Sequence, residues 1–92
     1  MVKLHISMEL EDYRKEIDEI DADILNLLGR RFMVVEKVSQ HKKKNNIKIV
    51  QEDRMKEIYD KAEVIAHKKN LDPRFVHSLF ELIINEAIRR EK

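Results

Sequence analysis

From Leu10, apolar residues return at alternating steps of three and four through Tyr13, Ile17, Ile20, Ile24, Leu27, Val34 and Val38. That spacing lines one stripe of an α-helix. Arg31 and His41 fall in the same register and are the positions that break its apolar pattern. Ser7 supplies an N-cap oxygen, and Glu9, Glu11 and Asp12 put negative charge into the following turn, where the helix dipole favours it. The pattern therefore predicts a first helix starting near Met8. No proline interrupts the run and Gly29 is its only glycine, so the helix continues to about residue 44, where Asn45-Asn46 stops it.

A loop over Asn45 to Val50 leads to a second helix, in which Met55, Ile58, Tyr59, Ala62, Ile65 and Ala66 share the buried face. His67, Lys68 and Lys69 close it with the charge that a helix C-terminus prefers. Asn70-Leu71-Asp72-Pro73 then reads as a stop, an Asp N-cap and a proline at the first position of a third helix. That helix runs almost to the last residue, with Phe75, Val76, Leu79, Phe80, Ile83, Ala87 and Ile88 inward. The fold class expected is all-α, as one domain over residues 1–92 without internal repeats. A first helix over residues 8 to 44 would be roughly 55 Å long, whereas a compact chain of this size has a radius of gyration of about 12 Å. The full stripe is best buried against a second copy, which predicts an interlaced homodimeric bundle.

Composition agrees with helices and narrows the function. Of the 92 residues 42% are hydrophobic and 40% charged, with one Gly and one Pro, a balance unsuited to a sandwich, barrel or collagen-like chain. The absence of cysteine removes disulfide scaffolds, thiolate nucleophiles and zinc knuckles. His5, His41, His67 and His77 show no paired-ligand spacing, so no metal is expected. The net charge of +1 gives no general pull toward nucleic acid or membranes. No stretch has the apolar length of a signal core or a membrane span, and the expectation is a soluble, cytoplasmic protein.

Candidate chemistry lies in cations placed among apolar residues. Arg31 sits in the stripe between Leu27 and Val34, and a buried guanidinium needs an anionic partner. That partner is either a protein acid, such as Glu36 or a residue of another helix, or a ligand carboxylate held bidentately. Lys42, eleven residues on, lies about 20° off the same line and roughly 16 Å further along the axis, so the two could grip one small anion. Arg14 is about 25 Å from Arg31 along the same helix and would have to come from a second chain. The plainer readings are a surface pair of Arg14 with Asp18 and a dipole-compensating role for Lys42.

Tyr13-Arg14-Lys15-Glu16-Ile17-Asp18-Glu19-Ile20-Asp21, Ile24 to Arg31, Lys42, Ile49 to Arg54, Leu71 to Val76 and Leu79 to Ile84 together resemble the motifs of the all-helical chorismate mutases. The resemblance covers about residues 9 to 91. It implies a dimer of interlaced three-helix chains with two active sites, each borrowing one arginine from its partner. The implied reaction is the 3,3-sigmatropic rearrangement of chorismate to prephenate in aromatic amino-acid biosynthesis, without metal or cofactor. By position, Arg14 of one chain and Arg31 of the other would bind the substrate's two carboxylates. Lys42 would donate to a carboxylate and to the ether oxygen, and Arg54 would support the anionic end. Glu91 stands where a glutamine usually donates to the ether oxygen, and a carboxyl group donates only when protonated. The resemblance then implies an acid-shifted activity profile. The plainer reading of Glu91 is a solvated residue in a frayed last turn.

Three further positions depart from the family pattern: Gln51 stands where an aspartate is usual, Met55 where a glutamate contacts the ring hydroxyl, and Ala87 where a serine supports a carboxylate. An apolar thioether cannot replace a hydroxyl contact. Isochorismate-pyruvate lyases and mutases of amino-chorismates share the scaffold and the apolar residue at that point, so they stand as alternative activities. A reading of another class is a helical dimerisation or nucleic-acid-binding module using His41 to Lys44 with Lys48. Against it stand the lack of interleaved aromatics and the near-zero net charge.

Overall fold

The computed structural model describes the backbone of residues 2–92 and the side chains from residue 9 onward. Among the described residues the secondary structure is three helices with no strand: α1 (Val2–Lys44), α2 (Glu52–Lys68) and α3 (Pro73–Glu91). The start expected near Met8 is thereby corrected. Once nucleated, a helix extends at the cost of fixing one residue per hydrogen bond, and Val2 to Ile6 contain nothing that breaks it. Ser7 lies inside α1, and its expected capping side chain, like that of His5, falls outside the described side chains.

The chain forms two compact units, the first ending at Met33 and the second running from Val34 to Lys92. In the first, α1 carries Leu10, Tyr13, Ile17, Ile20, Ile24 and Leu27 exposed to solvent. The burial expected for this stripe, Tyr13 included, is not met within one chain. Arg14 pairs with Glu11 at 2.9 Å, one turn back, rather than with Asp18.

In the second unit, local chemistry accounts for the ends of α1 and α2 and for the start of α3. Asn46 (φ 56°) and Asn70 (φ 59°) adopt the left-handed conformation that asparagine tolerates better than most residues. Behind each, a backbone N–H reaches back across the turn, from Ile47 to the carbonyl of Lys42 and from Leu71 to that of Ala66, both at 2.8 Å. These bonds satisfy carbonyls the helix leaves without partners. Asp72 caps α3 by accepting from the Arg74 backbone N–H at 2.9 Å, with Pro73 at the first helical position. Gln51 precedes α2 with extended backbone and no capping bond, and its Nε2 donates instead to the Lys48 carbonyl at 2.8 Å.

The core lies between α2 and α3, where Ala62, Ala66 and Val76 are buried with Phe80 packed against them. Two alanines one turn apart let the helices approach closely, and among the described residues no large side chain is fully buried. Ile65, Phe75 and Leu79, expected inside, are exposed, because three short helical segments cannot enclose every apolar position they carry. Ala66, only 1% exposed, leaves no room for added volume. Ala66→Leu is expected to destabilise the chain by about 2 kcal/mol through overpacking, read from urea unfolding. An unchanged midpoint would mean that the α2–α3 contact is looser than described.

Candidate active site

Lys42 occupies the last turn of α1, a position that favours cations because the helix's unpaired carbonyls gather there. The left-handed Asn46 turns the chain, and the strandless segment that follows passes the lysine closely enough for Nζ to donate to the Ile49 carbonyl at 2.6 Å. The end of α3 arrives from another direction and places Glu91 Oε1 3.1 Å from the same ammonium. Ser39, one turn before Lys42 on the same face, directs its hydroxyl to the Glu91 backbone carbonyl at 3.4 Å. The Lys42 side chain is 15% exposed and that of Glu91 6%, so the pair is withdrawn from water.

An ammonium has three hydrogens to donate. Among the described residues, Ile49 and Glu91 take two, which leaves one for an acceptor of another molecule. In this low-dielectric setting such a donor acts more strongly than in water, and it needs no reorganisation because a carbonyl and a carboxylate already fix its direction. Glu91 is buried against α1, and the picture of a solvated last turn does not hold.

The other positions named from sequence are distributed differently. Arg14 and Arg31 lie on the first unit, Arg14 exposed and Arg31 partly buried. Arg54 is exposed with Glu57 Oε1 at 3.8 Å, Gln51 is exposed, and Met55 and Ala87 are half-buried. Among these the structure joins Lys42 and Glu91 in direct contact. Sequence reasoning missed two members of the group. Ser39 lies one turn from Lys42, a weak signal, and nothing in a side chain announces the Ile49 carbonyl.

Neighbouring charges form their own networks. Glu86 accepts from Arg89 at 2.8 and 2.6 Å and from Arg90 at 2.8 Å, and these hydrogen bonds hold its carboxyl at about 2 on the surface of α3. Lys56 is raised above the ordinary lysine value by its hydrogen bond to Asp60. Between α2 and α3, Tyr59 and His77 stack with ring centres 4.3 Å apart beside a groove of about 240 Å³. Among the described residues no three His, Cys, Asp or Glu side chains gather as a metal-binding group, and no helix is long and apolar enough to cross a membrane.

Residues 13–92 match the family described as chorismate mutase type II. A chorismate mutase of Methanocaldococcus jannaschii is 32% identical over 85 residues, covering 90% of this chain and 86% of that protein. A bifunctional chorismate mutase/prephenate dehydratase of Buchnera aphidicola subsp. Schizaphis graminum is 34% identical over 84 residues, which is 91% of this chain and 22% of that protein. A 4-amino-4-deoxychorismate mutase of Streptomyces venezuelae is 29% identical over 83 residues, 90% of this chain and 81% of that protein. The chain thus spans about a fifth of the length of the bifunctional relative and most of the length of the other two. With the motif spacing, the three helices and these matches in agreement, the chain belongs to the chorismate mutase type II family.

Proposed function

We propose that residues 1–92 act as one mutase domain that rearranges chorismate to prephenate, the step that feeds aromatic amino-acid biosynthesis, and that they do so as a homodimer. The observation that carries this reading is the withdrawn Lys42, aimed by the Ile49 carbonyl and by Glu91 with one donor hydrogen to spare. In the rearrangement a carbon–oxygen bond breaks while a carbon–carbon bond forms within one molecule, and negative charge builds on the ether oxygen. No nucleophile or cofactor enters this scheme. The protein has to hold the reactive chair and place donors where the charge develops.

Lys42 is the donor to the ether oxygen in this scheme. Arg14, Arg31 and Arg54 take the carboxylates, with Arg14 supplied by the partner chain. Its exposed position on α1 leaves it available to a neighbouring molecule. Gln51, Met55 and Ala87 line the substrate's remaining surface. The exposed stripe from Leu10 to Leu27 supports the dimer, because an apolar face of that length is covered most simply by a second copy of itself.

Glu91 completes the donor set in its acid form. As a carboxylate it only accepts, as it does here from Lys42. Glu91→Gln provides an N–H donor at every pH. The expected result is a pH optimum displaced upward and higher activity above neutrality, followed as chorismate disappearance across pH 5 to 9. An identical profile in the variant removes Glu91 from the mechanism.

Met55 bears on substrate choice. A half-buried thioether offers nothing to a ring hydroxyl, and one relative is a 4-amino-4-deoxychorismate mutase. Purified protein is therefore to be assayed side by side with chorismate, isochorismate and 4-amino-4-deoxychorismate. Prephenate from chorismate at the highest kcat/KM is the expected outcome. Salicylate with pyruvate from isochorismate would move the assignment to a lyase, and turnover of none of the three defeats the enzyme reading.

A further inference from the structure

We propose that Ser39 is a positioning residue for Glu91, holding the final turn of α3 against α1 so that the carboxyl group stands beside Lys42. This rests on the mutase reading for its kinetic consequence, but its structural half stands apart from it. The last carbonyls of a helix have no partners inside the helix, and the carbonyl of Glu91 is one of them. Ser39 is itself buried, and its hydroxyl is directed at that carbonyl from 3.4 Å. The bond is long for O–H···O, so its strength is modest. Its importance lies in where it acts. Removing a buried donor leaves an acceptor without a partner, and a terminal turn opens more readily than any other part of a helix.

The side chain of Glu91 is held by Lys42 and its main chain by Ser39, two residues one turn apart on the same face of α1. A carboxyl group attached at both points has a fixed direction. Held by Lys42 alone, it could follow the lysine when Lys42 engages substrate, and its distance from the reacting oxygen would no longer be set by the fold. The charged and titratable groups at this point are Lys42 from α1 and Glu91 from α3, while Ile49 contributes a neutral carbonyl.

The test combines Ser39→Ala, Glu91→Ala and the double variant, each checked for folding by thermal unfolding, with amide hydrogen exchange on the full chain. The amide of Lys92, bonded to the Ile88 carbonyl at 3.2 Å, reports on the turn. Ser39→Ala is expected to speed its exchange about five-fold and to lower kcat by a similar factor with KM nearly constant, the effect of one modest hydrogen bond. In the Glu91→Ala background the same substitution is expected to leave kcat unchanged, because the group it positions is gone. An equal loss in both backgrounds overturns the proposal, as does unaltered exchange at Lys92, or faster exchange without coupling to Glu91. If the wild-type chain rearranges no substrate, the mutase reading fails, while the exchange measurement still decides whether Ser39 anchors the turn.

Discussion

Lys42→Ala is expected to lower kcat/KM for chorismate by about a thousand-fold, at the upper end of what removal of one preorganised donor costs an enzyme. The size follows from the surroundings of the ammonium. It is mostly shielded from water and already directed by two acceptors, so none of its advantage is spent on reorganisation. Alanine also leaves the carboxylate of Glu91 in a buried position with no cation beside it, and breaking a buried pair from one side costs about 3 kcal/mol. Urea unfolding should therefore show the loss of stability in Lys42→Ala and a smaller loss in the Lys42→Met, Glu91→Leu double variant, where no lone charge remains. Steady-state kinetics under conditions where each protein is folded separates the two effects. A rate within ten-fold of the wild type would show that Lys42 serves the fold and not the reaction.

Ile24→Asp is expected to convert a dimer into single chains. Ile24 lies at the middle of the apolar stripe of α1 and is 51% exposed in the isolated chain, so its side chain has much apolar area still to bury. Burying an isoleucine contributes about 2 kcal/mol, and in a two-fold symmetric contact the substitution counts twice. With the added desolvation of two carboxylates, the dissociation constant should rise by more than about a thousand-fold. Sedimentation would show the wild type at twice the chain mass and the variant at the chain mass. Activity should disappear with the dimer, since Arg14 would no longer reach the substrate of a partner. A wild-type chain that sediments as a monomer and is fully active would end the shared-site arrangement, whatever the chemistry at Lys42.

The motifs and the helix pattern point to the family from the amino acids alone, but they do not say what touches Glu91. From its position near the end of the chain the glutamate read equally well as a donor in a site or as a frayed surface residue. Its contacts come from Ser39 and Lys42, which are distant in sequence, and such a meeting depends on the summed geometry of two turns and two helices. The inward face of α2 is narrower than its periodicity suggests, for a related reason. Periodicity marks which residues share a side, whereas burial depends on what lies opposite, and within one chain Ala62 and Ala66 are covered while Ile65 is not.

The stops at Asn46 and Asn70, the Asp72-Pro73 start of α3 and the helical character of all three segments were legible in the amino acids alone, because each depends on backbone conformations and hydrogen bonds within a few residues of itself. The early start of α1 at Val2 was not, since no capping signal marks it and helix growth continues until something interrupts it. Tertiary structure alone decided that the Ile49 carbonyl, Glu91 and Ser39 surround the end of α1 and withdraw Lys42 from water. Short-range rules govern how a segment coils and where it ends. Only packing governs which distant atoms share a dry space, and the direction and strength of the Lys42 donor depend on that space.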